Sequence, residues 1–183
     1  EHGPEPPHAT TPLPHHSAPP MLTKSSRAVR GKVSARFALV ASEYNARYVD
    51  GMLRAAKAER TRAGAAEIKV VRVPGAFEIP VVAGVLARQH PGWDAVICLG
   101  VIMQGQTSHA QHVGEAVTLA LSQLAVQTGV PMIHEVLVFT SEEQARVRCL
   151  SRDFNRGAEA AQTALRMARV MDGVRQADDE VPF

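Results

Sequence analysis

Gly105-Gln106-Thr107-Ser108-His109 puts a glycine, two hydroxyls and a histidine within five residues. An apolar run at 95–99 precedes it and a helical pattern starting near Ala110 follows, so the group sits where a strand hands over to a helix. Backbone N–H groups at a helix start lack intrahelical partners and carry partial positive charge, which suits a phosphate. A histidine beside a phosphate can move protons near neutral pH. A solvated turn with a surface histidine explains the same five residues, since Gly/Thr/Ser turns are common. Two further stretches change the balance. Ser42-Glu43-Tyr44-Asn45 and Pro74-Gly75-Ala76-Phe77-Glu78 each follow an apolar run and supply aromatic rings and a carboxylate. Taken singly, Tyr44 and Phe77 fit as packing aromatics and Glu78 as an acid at a helix start. Taken together, the three loops suit a planar hydrogen-bonding heterocycle and a small phosphorylated partner.

The elements that must position these loops alternate. Apolar runs at 37–41, 68–73, 95–103 and 132–139 read as strands. Between and after them, helical spacing covers 47–60, 80–88, 110–127, 142–150 and 156–171. Val49, Met52, Leu53 and Ala56 mark the first helix, and Val113, Val117, Leu121 and Leu124 the third. Pro80 is acceptable in a first turn, and Gly129-Val130-Pro131 stops the third helix. Strands alternating with helices predict an α/β fold, a parallel sheet covered on both faces and joined by right-handed crossovers. In such sheets ligands bind beyond the carboxyl ends of the strands, where the three loops fall.

Composition narrows the classes. The chain has 183 residues, 45% hydrophobic and 21% charged, with a net charge of +2. That predicts one domain, and without a basic stripe it excludes nucleic acid as a partner. No apolar run reaches the ~20 residues that span a bilayer, and no signal-type apolar segment stands near the N-terminus. Cys98 and Cys149 are the two cysteines, Cys98 within an apolar strand run, so a reducing, cytoplasmic setting and no metal site are expected. Residues 1–20 hold seven of the twelve prolines and four of the eight histidines. They are expected to be disordered, the histidines at most weak metal ligands, and Met21 offers an alternative start. Residues 1–30 thus read as a Pro/His-rich extension and linker, 31–172 as the folded domain, and 173–183 as a frayed acidic tail.

Val73-Pro74-Gly75-Ala76-Phe77-Glu78-Ile79-Pro80, the Gly-x-Thr-x-His loop at 105–109, Thr128-Gly129-Val130-Pro131, Glu143-Gln144-Ala145 and Asn155-Arg156-Gly157 occur in a distinctive order and spacing. On these motifs the chain, from 35 to 170, resembles the 6,7-dimethyl-8-ribityllumazine synthase family of riboflavin biosynthesis. The resemblance implies a flavodoxin-like three-layer αβα sandwich around a four-stranded parallel sheet. It implies pentamers, in some members decamers or 60-subunit icosahedral shells, with active sites between neighbouring subunits and an association with riboflavin synthase. Carried over by position, Tyr44 stands where a phenylalanine usually stacks on the pyrimidine. Ala76, Phe77 and Glu78 match the segment that contacts the uracil and ribityl chain, and Val101, Ile102 and Met103 the strand end beneath the ring. Gln106 and Thr107 match the phosphate loop and His109 the general acid/base. Arg148 matches the arginine that reaches the phosphate from the adjacent subunit, and Arg156 stands where a lysine is usual.

Three departures stand out. Gln104 replaces a common arginine, Gln106 a common alanine, and His134 a phenylalanine that covers the substrate from the neighbouring chain. His134 can stack, hydrogen-bond the substrate, or simply be a surface histidine at a strand end. The family's chemistry, condensation of 5-amino-6-(D-ribitylamino)uracil with 3,4-dihydroxy-2-butanone 4-phosphate, requires proton transfers and positioning and no metal or redox cofactor. A non-catalytic flavin- or lumazine-binding, shell-forming relative is the competing reading, argued against by the intact Thr107, His109 and Arg148. A flavodoxin-type FMN carrier is argued against by the lack of a Thr/Ser-rich loop after the first strand.

The composition of the first twenty residues gives them no core to join. A chain beginning at Met21 is expected to keep its melting temperature and activity. A loss of several degrees in a thermal melt would mean that the segment packs on the folded body.

Overall fold

The computed structural model describes residues 35–63, 67–89 and 92–179. Four strands, β1 (Arg36–Ser42), β2 (Glu67–Val73), β3 (Ala95–Met103) and β4 (Met132–Phe139), form one parallel sheet in the order β2-β1-β3-β4. Five helices complete it: α1 (Ala46–Ala63), α2 (Ile79–Ala87), α3 (His109–Thr128), α4 (Glu142–Leu150) and α5 (Arg156–Asp179). A single 3-10 turn, Ala76–Glu78, precedes α2.

Side chains alternate across a strand, and here both alternating sets are buried. Phe37, Leu39 and Ala41 of β1, with Ile97, Leu99 and Val101 of β3, face α1, α4 and α5. Ala38 and Val40, with Val96 and Cys98, face α2 and α3. This is why β1 and β3 read as unbroken apolar runs rather than as alternating ones. The three layers are those of the flavodoxin-like αβα sandwich that the resemblance implies.

Local chemistry sets the helix ends. Gly129, at φ 65°, ends α3 in the left-handed region, its N–H donating to the Ala125 carbonyl at 3.0 Å. Ser141 caps α4 by accepting from the Gln144 N–H at 3.3 Å, and the Gln144 side-chain oxygen accepts from the Thr140 N–H at 3.1 Å. This exchange closely follows a capping box and explains the glutamine of the Glu143-Gln144-Ala145 motif. Asn155 joins two helices: its amide donates to the Cys149 carbonyl at 2.6 Å and its oxygen accepts from the Gly157 N–H at 2.9 Å.

Two glycines allow the helices of one layer to meet backbone to backbone. A Cβ at Gly51 of α1 would lie 2.5 Å from the Cys149 carbonyl oxygen at the end of α4, and one at Gly157 would overlap the Met52 carbonyl. The first turn of α5 is thereby seated directly on α1.

β3, β4 and α4 span the ranges expected from sequence, and the other elements differ by a residue or a few at their ends. The largest difference is at α5, which runs to Asp179 rather than stopping at 171. Its apolar spacing stops there, but residues 172–179 contain one glycine and no proline, so nothing local breaks the helix, and residues 172–177 are exposed. The expected disorder at 1–30 lies outside the described residues, as do 180–183 of the expected tail. No helix among the described residues is long and apolar enough to cross a membrane.

The α1–α5 contact makes a stability prediction. Gly157→Ala must push α5 off Met52, since the obstacle is backbone, and should cost about 3 kcal/mol. For a chain of this size that lowers Tm by roughly 6–12 °C. Differential scanning calorimetry checks it, with Gly173→Ala, where an added Cβ meets nothing within 4 Å, as the neutral control.

Candidate active site

The carboxyl ends of β1, β2 and β3 lie along one edge of the sheet, the place of the expected crevice, and hydrogen bonds tie their loops together. Glu43 and Tyr44 donate their N–H groups to the carbonyls of Val73 (2.8 Å) and Pro74 (3.1 Å). Asn45, the sole non-glycine described with a positive φ (56°), donates its side-chain amide to the Val101 carbonyl at 2.8 Å. Asparagine tolerates that region better than most residues. The loop after β1 is thus pinned to both neighbouring strand ends, and Tyr44 stands out from it, 71% exposed.

Across the crevice, Ala76 is buried and Phe77 is 62% exposed. Gly75 has extended backbone, so its glycine is not needed for φ. It is needed for space: a Cβ there would lie 2.8 Å from the Glu78 carboxylate and 3.2 Å from the Tyr44 ring. Absence of a side chain lets the ring of Tyr44 and the carboxylate of Glu78 flank the same backbone. Val101 is buried, while Ile102 and Met103 are half-buried at the end of β3.

The phosphate-type loop is shaped by Gln104. Its side-chain amide donates to the carbonyls of Gly105 (3.2 Å) and Thr107 (2.8 Å), and its backbone N–H extends the ladder to Phe139. Gln106, Thr107, Ser108 and His109 are exposed. His109 is the first residue of α3 rather than the last of the loop, with its N–H directed at the Thr107 hydroxyl at 3.4 Å. Ser108 makes no side-chain cap, which leaves the first turn of α3 open to an external acceptor.

The remaining expected site residues lie elsewhere in their own chain. His134 sits five residues before the end of β4, about 16 Å below the crevice at strand rise. Its Nε2 is 3.0 Å from the Thr118 hydroxyl on α3. That hydroxyl already donates to the Gly114 carbonyl at 2.7 Å, so the histidine is the donor in the pair. Burial holds its pKa below the ordinary value, against the pull of a hydrogen bond to its own backbone. Arg148 lines a separate cavity of about 350 Å³ with Phe139, Glu143, Gln144 and Val147. Arg156 is held by Glu135 (Nε–Oε2 2.9 Å) and Glu159 (2.6 Å).

Asn45, the Gln104 clamp and Glu135 went unnoticed in the sequence. A signal existed for Glu135, the one acid in the strand Met132–Phe139, which is apolar apart from it and His134. It is 5% exposed, and burial pushes its carboxyl up to about 7 although Arg156 and Arg148 pull it down.

The sequence profile of 6,7-dimethyl-8-ribityllumazine synthase matches residues 34–172. A 6,7-dimethyl-8-ribityllumazine synthase of Kineococcus radiotolerans is 43% identical over 141 residues, covering 76% of this chain and 86% of the relative. One of Xanthomonas oryzae pv. oryzae is 38% identical over 143 residues, covering 76% and 91%. On this match and these identities, the chain belongs to the 6,7-dimethyl-8-ribityllumazine synthases.

Proposed function

We propose that the chain condenses 5-amino-6-(D-ribitylamino)uracil with 3,4-dihydroxy-2-butanone 4-phosphate to give 6,7-dimethyl-8-ribityllumazine, phosphate and two waters, at sites shared between neighbouring chains. The observation that carries this reading is the placement of His109 at an uncapped helix start beside the clamped 104–108 loop, at the same carboxyl edge of the sheet from which Tyr44, Phe77 and Glu78 project. Each part has a task. Tyr44 and Phe77 offer ring faces to the pyrimidine, with Val101, Ile102 and Met103 as its floor. Ala76 and Glu78 take the uracil edge and ribityl hydroxyls. Gln106 and Thr107, with the first N–H groups of α3, take the phosphate.

The uracil amine attacks the butanone ketone, the carbinolamine loses water to an imine, phosphate leaves, and ring closure expels a second water. His109 carries protons between these steps. Holding both substrates in one crevice supplies much of the remaining rate.

Three observations support a shared site. His134 lies five residues before the end of β4, and Arg156 is held by Glu135 and Glu159 of its own chain. Arg148 makes no hydrogen bond or ion pair among the described residues, so its fork is free for an anion. Exposed Val81 and Val85 on α2, with Leu119 and Val126 on α3, give the outer layer an apolar surface suited to contact between chains. The same reading extends to a pentamer, with decamers or icosahedral shells as higher assemblies, to a cytoplasmic setting in keeping with two buried free thiols, and to association with riboflavin synthase, which consumes the product.

His109→Ala should lower kcat by roughly 10²–10⁴-fold with assembly unchanged. A rate within twofold of the parent, followed by lumazine fluorescence, refutes the assignment.

Arg148→Ala should raise KM for the butanone phosphate far more than for the uracil, a loss on the order of 2–5 kcal/mol. Dissociating the His109→Ala and Arg148→Ala proteins and reassembling them together pairs an intact histidine from one chain with an intact arginine from another. Activity should then return. Its failure to return, with mixing confirmed by mass spectrometry, places both residues in one chain's site.

A further inference from the structure

Glu135 is a buried acid that the proposed chemistry does not use. It lies on β4, in register with Leu99 of β3, and points into the layer formed by α4 and α5. The groups that face it are Arg148 and Cys149 from α4 and Arg156 and Glu159 from α5; β3 offers it only an apolar neighbour. Its carboxylate occupies the Nε of Arg156, and Glu159 occupies the Nη1. Two of the guanidinium's donor nitrogens are thus already used, on an arginine that is one-third exposed. Arg148, near enough for its charge to act on Glu135, has no such counter-ion.

On the reading given under Proposed function, we propose that Glu135 is a positioning residue for phosphate capture: it holds Arg156 in place while the site is empty and takes up a proton when a substrate anion claims the arginine charges. The reasoning is electrostatic. A carboxyl this deeply buried stays ionised chiefly because positive charge lies beside it. An incoming phosphate engages the same positive charge, and what remains around the carboxyl favours its neutral form. A proton from solvent then adds to a Glu135 carboxylate oxygen, and the Arg156 Nε is released toward the anion. When phosphate leaves, Glu135 gives the proton back and re-forms the pair. The carboxyl's position near pH 7 places this exchange in the range where a small change of charge shifts its protonation. Above that range the ionised Glu135 competes with the anion for Arg156; below it the competition disappears.

The test compares KM for the butanone phosphate in the parent and in Glu135→Gln, from about pH 6 to about pH 8.5. Gln keeps the size and an acceptor for Arg156 but cannot titrate. The substrate's own ionisation is common to both proteins and cancels in the ratio. The ratio of parent to variant KM should rise with pH by roughly tenfold, the order expected when one coupled carboxyl ionises across the window. A ratio constant within about twofold overturns the inference. Parent protein that forms no lumazine removes the underlying reading, and this inference with it; turnover with a flat ratio removes only this inference. Should Glu135→Gln fail to assemble, calorimetry on the parent decides. Sulfate, which carries no proton at neutral pH, is titrated in buffers of different ionisation heat. Proton uptake on sulfate binding near pH 7.5 supports the proposal; binding without uptake, or no binding, overturns it.

Discussion

Because helices cover both faces of the sheet, a charged side chain on a central strand would be buried away from water. β1 and β3 consequently carry no charged residue between Phe37 and Met103 in their paired, buried stretches. The chemistry is displaced to the carboxyl edge, where backbone carbonyls of the last strand residues are no longer used by the ladder. Those carbonyls become anchors. Val73, Pro74, Val101 and Phe139 hold Glu43, Tyr44, Asn45 and Gln104 in place through single hydrogen bonds. Each bond is worth only about 1 kcal/mol. Their value lies in fixing separate loops to one rigid edge, from which Tyr44, Phe77, Glu78 and His109 all project.

The opposite layer is governed by backbone proximity. Gly51 and Gly157 allow α4 and α5 to approach α1 without intervening side chains, and Asn155 satisfies the orphan groups at the α4–α5 junction. The Asn155-Arg156-Gly157 motif therefore has three physical jobs in three residues: a cap, an ion pair to the sheet, and a close helix crossing. Only the middle one bears on the site. Its neighbours hold Arg156 at the root of α5, where its guanidinium meets Glu135.

The fold was largely legible because its signals are local. Strands β3 and β4 announce themselves as apolar runs, Gly129 and Pro131 end α3, and the order of elements leaves a parallel sheet as the natural arrangement. Less legible were features set by how a loop folds, or by nothing being present to stop a helix. α5 continues beyond 171 since a helix persists without an apolar face when nothing breaks it. Gln104 looks in sequence like a lost positive charge, and only the loop geometry shows it bonding to Gly105 and Thr107. Gly75 looks like a turn glycine, yet what it provides is room beside Tyr44 and Glu78. Asn45 could have been suspected, being the type of residue that accepts a left-handed turn. The roles of individual site residues came from the family motifs, not from periodicity, which says nothing of substrates.

The charge pattern bears on the proposal that the site is shared between chains. The crevice around His109 gathers aromatic faces, a carboxylate and backbone donors, but no arginine or lysine is among the residues that form it. A helix start stabilises an anion by about 1 kcal/mol or somewhat more, too little alone to capture a dianionic phosphate tightly from water. The cations proposed to complete it, Arg148 and Arg156, are carried on α4 and α5 in the layer that covers β4, itself an edge strand. An edge strand is also the position from which a neighbouring chain can be reached. On the proposal of a divided anion site the buried pair at Glu135 becomes intelligible: an arginine meant for another chain's phosphate would need a counter-ion of its own until that phosphate arrives, and a carboxyl that titrates near neutrality can relinquish the arginine without leaving an uncompensated buried charge.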